Sequence, residues 1–202
     1  MLNPSLATTD PAAKSLPHRP KRADARRNYD KVVAAARDAF AERGTSTSLE
    51  EIARRAEVGI GTLYRNFPSR QALLEAVYVD EVDDLCRSAG ELDGLAPWEA
   101  FAAWVDRLVG YLVTKQALAQ ELLEYFDRDA PLFATCRAAL FSAGQPLLDR
   151  AQQAHAVRAD TNLSEIIQIV GGIAKVPAAE PDQTKHMLLI ALDGLRYRPA
   201  EA

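Results

Sequence analysis

The chain has 202 residues, 48% of them hydrophobic and 26% charged, with a formal net charge of −4; that is enough apolar material for a sizeable core in one or two domains, and it excludes a disordered polar chain. Two cysteines, Cys86 and Cys136, exclude a disulfide framework, and with the three histidines (His18, His155, His186) isolated, no metal and no cofactor is expected. The opening MLNPSLATTD lacks a charged-then-apolar leader and no run of about 18 apolar residues occurs, so a soluble, cytoplasmic protein without a membrane partner is expected.

The net charge conceals a split. Residues 1–70 hold 13 Lys and Arg against 8 Asp and Glu, an excess of five positive charges; residues 71–202 hold 11 against 20, an excess of nine negative ones, which together restore −4. A basic amino-terminal part on an acidic body suits a protein that meets nucleic acid at one end only. The competing reading is an uneven solvated surface.

In chain order, residues 1–25 carry Pro4, Pro11, Pro17 and Pro20 with little apolar periodicity and are expected to form an extended arm. Arg19, Lys21, Arg22, Arg26 and Arg27 gather at its end, where they either track phosphates and the minor groove or make a plain solvated tail. Helix one is expected from about Arg27 to Arg43, stopped by Gly44, with Val32, Val33, Ala36, Ala39 and Phe40 inward.

Ser48 and Glu51 have capping-box spacing, so helix two starts near Leu49, with Leu49, Ile52, Ala53 and Ala56 as its apolar stripe. Glu57-Val58-Gly59 breaks the pattern. It resumes at Ile60, where Leu63 and Phe67 point inward and Thr62, Tyr64, Arg65 and Asn66 point elsewhere. Pro68 ends this third helix near Phe67, and Ser69 caps the next. Two short helices joined by a tight turn form the helix-turn-helix that lays its second helix in the major groove of DNA.

The order AFAERG, SLEEIARRAEVGIGTLYRNFPSRQALLEAV between about Tyr29 and Val77 resembles the amino-terminal domain of the TetR (tetracycline repressor) family of transcriptional regulators. That resemblance implies a recognition helix bearing Ile60, Gly61, Thr62, Tyr64, Arg65 and Asn66, a cap at Ser48 beside a phosphate, and Arg70 against the DNA backbone; Arg26 and Arg27 complete the expected DNA-binding set. Two departures stand out. Glu57 occupies a turn position where the family usually has glycine, at a cost of about 1 kcal/mol if its backbone is left-handed. Ile60 replaces a commonly polar or basic residue and offers only apolar contact, for instance to a thymine methyl. Gly59-Ile60-Gly61 also begins like a dinucleotide fingerprint, but Tyr64 holds the third glycine position and no strand precedes it.

Helix four is expected from Ser69 to about Ala89 as a link to the body, with Asp80, Glu81, Asp83 and Asp84 crowding one side as a solvated face, or alternatively a cation-binding or DNA-repelling one. Pro97 opens a long apolar helix, and a further one follows Pro131 with a kink at Pro146. Aromatics facing one another across such a bundle make core; where a cavity opens between the helices instead, Phe101, Trp104, Leu108, Tyr111, Phe126 and Phe141 are its candidate walls for a small hydrophobic or amphipathic ligand.

Asn162 and Glu165 repeat the capping-box spacing and open a helix over Leu163–Ala174, followed by a last helix over Asp182–Arg196, both nearly without a polar face. Such helices need burial on two sides. The second side is expected to be the same pair in a second copy, through Ile166, Val170, Gly171, Ile173, Leu188 and Leu192; the alternative is burial within one chain. Dimerisation through the final two helices is also what the resemblance implies.

The expected architecture is thus all-α with about nine helices: an arm over 1–25, a three-helix helix-turn-helix domain over 26–70, and a ligand-binding and dimerisation bundle over 71–202. The expected function is a homodimeric DNA-binding regulator, a repressor released from double-stranded operator DNA by a small ligand. The alternatives are an effector-independent DNA-binding protein and a helical enzyme, although no G-x-S-x-G elbow, H-E-x-x-H or H-x-E with C-x-x-C is present.

Overall fold

The computed structural model describes residues 19–127, 130–176 and 182–197; the arm up to residue 18 and the break at 128 and 129 lie outside them. Eight α-helices follow one another among the described residues: α1 (Ala23–Arg43), α2 (Leu49–Arg55), α3 (Ile60–Asn66), α4 (Arg70–Gly90), α5 (Pro97–Leu122), α6 (Pro131–Gln153), α7 (Leu163–Lys175) and α8 (Gln183–Leu195). The lone β-type contact among them is an antiparallel bridge between Val157 and Arg196, which ties the end of α8 to the α6–α7 turn. No described helix is long and apolar enough to cross a membrane.

The local chemistry explains the boundaries. Gly44 ends α1 at φ 77°, a conformation that costs glycine little, and its N–H donates to the Phe40 carbonyl. Ser48 accepts from the Glu51 N–H at 3.2 Å, so half of the expected capping box forms. The other half does not, because the Glu51 carboxylate is taken by Arg54 (2.8 and 2.9 Å) and Arg55 (3.0 Å). Those guanidiniums hold it well below the usual carboxylate range, at about 2. Asn162 and Glu165, by contrast, make both bonds of the box that opens α7. Glu57 does adopt a left-handed φ of 55°.

Phe67 is extended ahead of Pro68, the conformation that a following proline favours. Ser69 then caps α4 by accepting from the Ala72 N–H at 3.1 Å. Pro97 and Pro131 sit in the first turns of α5 and α6, where a missing N–H costs nothing. α6 runs unbroken through Pro146.

α1, α2 and α3 close on Val32, Ala36, Ile52 and Leu63, all fully buried. α4 is the hub: it packs on α1 at one end and on α5 and α6 along its length. Leu73, Leu74, Val77 and Tyr78 are its buried face. Of the four crowded acids of α4, Asp83 is exposed to solvent, while the other three are partly covered. Arg37 of α1 reaches Asp80, Glu81 (2.6 Å) and Asp84 (2.8 Å), and burial pushes the Asp80 and Glu81 carboxyls upward. One guanidinium therefore bridges three of the carboxylates, offsets part of their mutual repulsion and clips α1 to α4, and no described group of His, Cys, Asp and Glu could hold a metal ion.

Candidate nucleic-acid interface and inner cavity

α3 splits its residues by helical periodicity. Leu63 is fully buried and Phe67 nearly so, with Phe67 against the Tyr29 ring at 4.8 Å. On the other flank Ile60 and Tyr64 remain 40% and 45% exposed, and Gly61 and Arg65 are exposed as well. Thr62 and Asn66 are half-buried, and the Asn66 amide donates to the Thr62 carbonyl at 2.9 Å, which leaves its oxygen to accept from outside. An aromatic hydroxyl, a guanidinium, a hydroxyl and an isoleucine on one short exposed flank can hydrogen-bond base edges and phosphates and touch a thymine methyl. Ser48, Arg26 and Arg27 are exposed, Arg27 paired with Asp24 one turn earlier.

Arg70 departs from its expected place. Its Nε donates to Glu121 at 2.8 Å, its Nη1 donates to the Thr47 carbonyl at 2.8 Å, and its guanidinium lies over the Phe40 ring. The physical reason is the Glu121 carboxylate, 16% exposed near the end of α5, which needs a cation. Arg70 is committed to the joint between the three-helix head and α5 rather than presented to a phosphate.

A cavity of about 470 Å³ opens between α4, α5, α6 and α7. Tyr78 comes from α4; Leu108, Leu112, Lys115 and Ala119 come from α5, and Leu123 caps its end. Phe133, Arg137, Leu140 and Phe141 come from α6, with Ser164, Ile167 and Gln168 from α7. Of the six expected walls, Leu108 and Phe141 line it. Phe101 and Trp104 are fully buried core, Tyr111 is buried beside Lys115, and Phe126 packs on the core without lining the space. Trp104 is held off by close packing, its ring filling the room above Gly144, where a Cβ would fall 2.3 Å from it.

Residue-type reasoning missed Lys115, Arg137, Ser164 and Gln168, since it sought apolar walls alone. A signal existed: Lys115 interrupts the inner stripe Leu108, Leu112, Ala119, where a lysine is out of place unless it faces a cavity. Burial lowers the Lys115 pKa and raises that of the neighbouring Cys136 thiol to about 11, so the thiol is protonated and inert.

The six residues expected at an interface between copies are mostly used within the chain. Ile166, Val170, Ile173, Leu188 and Leu192 are buried, and Gly171 is half-buried. They face α5 and each other because they recur at three- and four-residue spacing on one side of each helix, the side that packs within the chain. The large apolar side chains that α7 and α8 leave to solvent are Ile169, Leu189 and Ile190, at 48%, 52% and 60% exposure.

Residues 32–77 match the family described as bacterial regulatory proteins, tetR family. Residues 96–197 match the family described as transcriptional regulator SbtR-like, C-terminal domain. Among solved structures, the TetR transcriptional regulator SCO0520 from Streptomyces coelicolor is 38% identical, with a TM-score of 0.72 over 84% of this chain and 98% of that one. A TetR transcription regulatory protein from Mycobacterium vanbaalenii is 34% identical, with a TM-score of 0.71 over 88% and 99%. The TetR family protein CprB from S. coelicolor A3(2) is 26% identical, with a TM-score of 0.56 over 88% and 93%. A buried-and-exposed split along α3, a helical body on a shared α4 and matches across both regions lead to one conclusion: the chain belongs to the TetR family of DNA-binding transcriptional regulators, which are not enzymes.

Proposed function

We propose that the chain acts as a homodimer that represses transcription from a double-stranded operator and is released from it by a small molecule bound in the α4–α7 cavity. The observation that carries this reading is the cavity wall itself, since it includes Tyr78 of α4, the helix that also packs on the reading head. Ala119 and Leu123 of the same wall flank Glu121, the residue that holds Arg70 at the start of α4. A ligand that moves the end of α5 therefore pulls on the head through one ion pair.

The effect is a population shift. The ligand favours a spacing of the two heads that misfits the operator, by as much as its affinities for the two states differ. The exposed residues Ile169, Leu189 and Ile190 support a twofold contact through α7 and α8, which would set two recognition helices one helical turn of DNA, about 34 Å, or a multiple of it apart. Tyr64, Arg65, Thr62 and Ile60 are assigned to base and phosphate contact, with Gly61, Asn66, Ser48, Arg26 and Arg27 flanking them. The presence of the cavity favours effector control over effector-independent binding.

The test is binding to the DNA flanking the protein's own coding region, with and without candidate ligands, while tryptophan fluorescence reports occupancy near Trp104. Ligands that bind without weakening DNA affinity overturn the release mechanism.

A further inference from the structure

The inner cavity carries a charge imbalance that a neutral occupant would leave standing. Lys115 enters from α5, half-buried, with Nζ 5.1 Å from the ring centroids of both Tyr78 and Tyr111. Among the described residues, the charged or titratable groups that act on it are Arg137 and Cys136, with no carboxylate among them. Arg137 lines the same cavity at its exposed rim and makes no ion pair with a described residue. No described wall residue is acidic, while Ser164 and Gln168 add a hydroxyl and an amide at the α7 side. Elsewhere the wall is apolar.

Each class of occupant meets this wall differently. A cation would sit against two like charges. A wholly apolar molecule would strip water from Lys115 and return nothing beyond the two ring faces, leaving a desolvated ammonium without a counter-ion. An anion with an apolar body satisfies both halves, because charge-assisted hydrogen bonds strengthen where water is excluded. The volume, about 470 Å³, lies within the range of about 300–1,000 Å³ typical of sites for small organic ligands.

Resting on the effector reading above, the geometry points to an amphipathic monocarboxylate as the occupant, its carboxylate between Lys115 and Arg137 and its apolar body against Leu108, Leu140, Phe141 and Ile167. Because Lys115 lies on the Tyr78 ring of α4, the carboxylate engages the cation that touches the head-bearing helix. The same contact that selects the ligand thereby biases α4.

The experiment uses the intact chain and titration calorimetry with octanoate, decanoate and 4-phenylbutyrate, each beside its primary amide and its primary ammonium analogue. The carboxylates are expected to bind about 10- to 100-fold more tightly than the amides, and the ammonium compounds not measurably. Lys115→Met should abolish the preference for carboxylate over amide while helix content by circular dichroism stays as in the parent, and Lys115→Arg should restore it in part. Amides that bind as tightly as carboxylates, or a preference that survives Lys115→Met, overturn the inference. If amides or ammonium compounds bind and release DNA, the anionic class falls and the effector reading stands. If carboxylates bind through Lys115 but DNA affinity is unchanged, the occupant stands and the effector reading falls. If no compound of any charge binds at millimolar concentration, both fall.

Discussion

Gly144→Ala is a one-methyl test of how α5 and α6 are held together behind the cavity. A Cβ at this position would lie 2.3, 2.7 and 2.8 Å from Cη2, Cζ3 and Cζ2 of the Trp104 ring, whose side chain is fully buried. Carbon contacts relax near about 3.5 Å, so ring or helix must yield by roughly 1.2 Å. A rigid indole in a packed core gives way at the upper end of the overpacking range, about 3 kcal/mol. Alanine returns about 1 kcal/mol of helix propensity, for a net loss of about 2 kcal/mol.

The control is Gly110→Ala on α5, where a Cβ meets nothing within 4 Å and the propensity gain of about 1 kcal/mol stands alone. For a chain of this length, about 2–4 °C per kcal/mol converts these to a melting temperature roughly 4–8 °C lower for Gly144→Ala and 2–4 °C higher for Gly110→Ala. Both are read by thermal denaturation at one protein concentration, since association shifts the midpoint. Leu140 and Phe141 line the cavity one turn before Gly144, so forcing the helices apart should also loosen ligand binding. Equal stabilisation by the two substitutions would refute the close approach of α6 to Trp104.

At the reading head, Tyr64→Ala should weaken operator binding by about 1–3 kcal/mol, roughly 5- to 150-fold, in a mobility-shift assay while circular dichroism and dimer mass stay as in the parent; unchanged affinity would displace α3 from the groove. Arg70→Ala and Glu121→Ala should each cost about 1–3 kcal/mol of stability and the pair less than their sum, with a coupling of about 0.5–3 kcal/mol; additivity would mean that the 2.8 Å ion pair does not join head to body. Ile190→Glu should yield monomers in analytical ultracentrifugation, and an unaltered mass would remove α8 from the interface. The Glu51 carboxyl, lowered in the fold to about 2 by Arg54 and Arg55 from 4.5, contributes stability that is present above about pH 4.5 and lost as pH falls toward 2. Glu51→Gln should therefore lose less stability than the parent over that acid window; parallel acid-unfolding curves would count against the ion pairs.

Much of the reading head was legible in residue order alone, because its signals are local. Ser48, Pro68 and Ser69 act on backbone within three residues of themselves, and a seven-residue helix with Leu63 and Phe67 at i and i+4 has only one face to bury. The left-handed φ of Glu57 was foreseen from the family resemblance, since the family usually has glycine at that turn position. The second half of the Ser48–Glu51 box failed on a competition that spacing does not rank: two arginines outbid one backbone N–H for a carboxylate.

The body was legible as helices and illegible as surfaces. Which aromatic is core and which is wall depends on where four helices stand relative to one another, so Trp104 filled the room above Gly144 while Leu108, one turn further, met open space. Ile166 and Ile169 look alike in a sequence, yet one packs inward and the other is left to solvent, because the direction of the stripe is set by the partner helix. Residue order determined an all-helical chain with a DNA-reading end, since capping, proline and apolar period act over one turn. Tertiary structure alone decided that Arg70 faces Glu121, 51 positions away, and that Lys115 stands in a cavity with no acidic wall residue among the described ones, since both depend on the approach of groups from different helices.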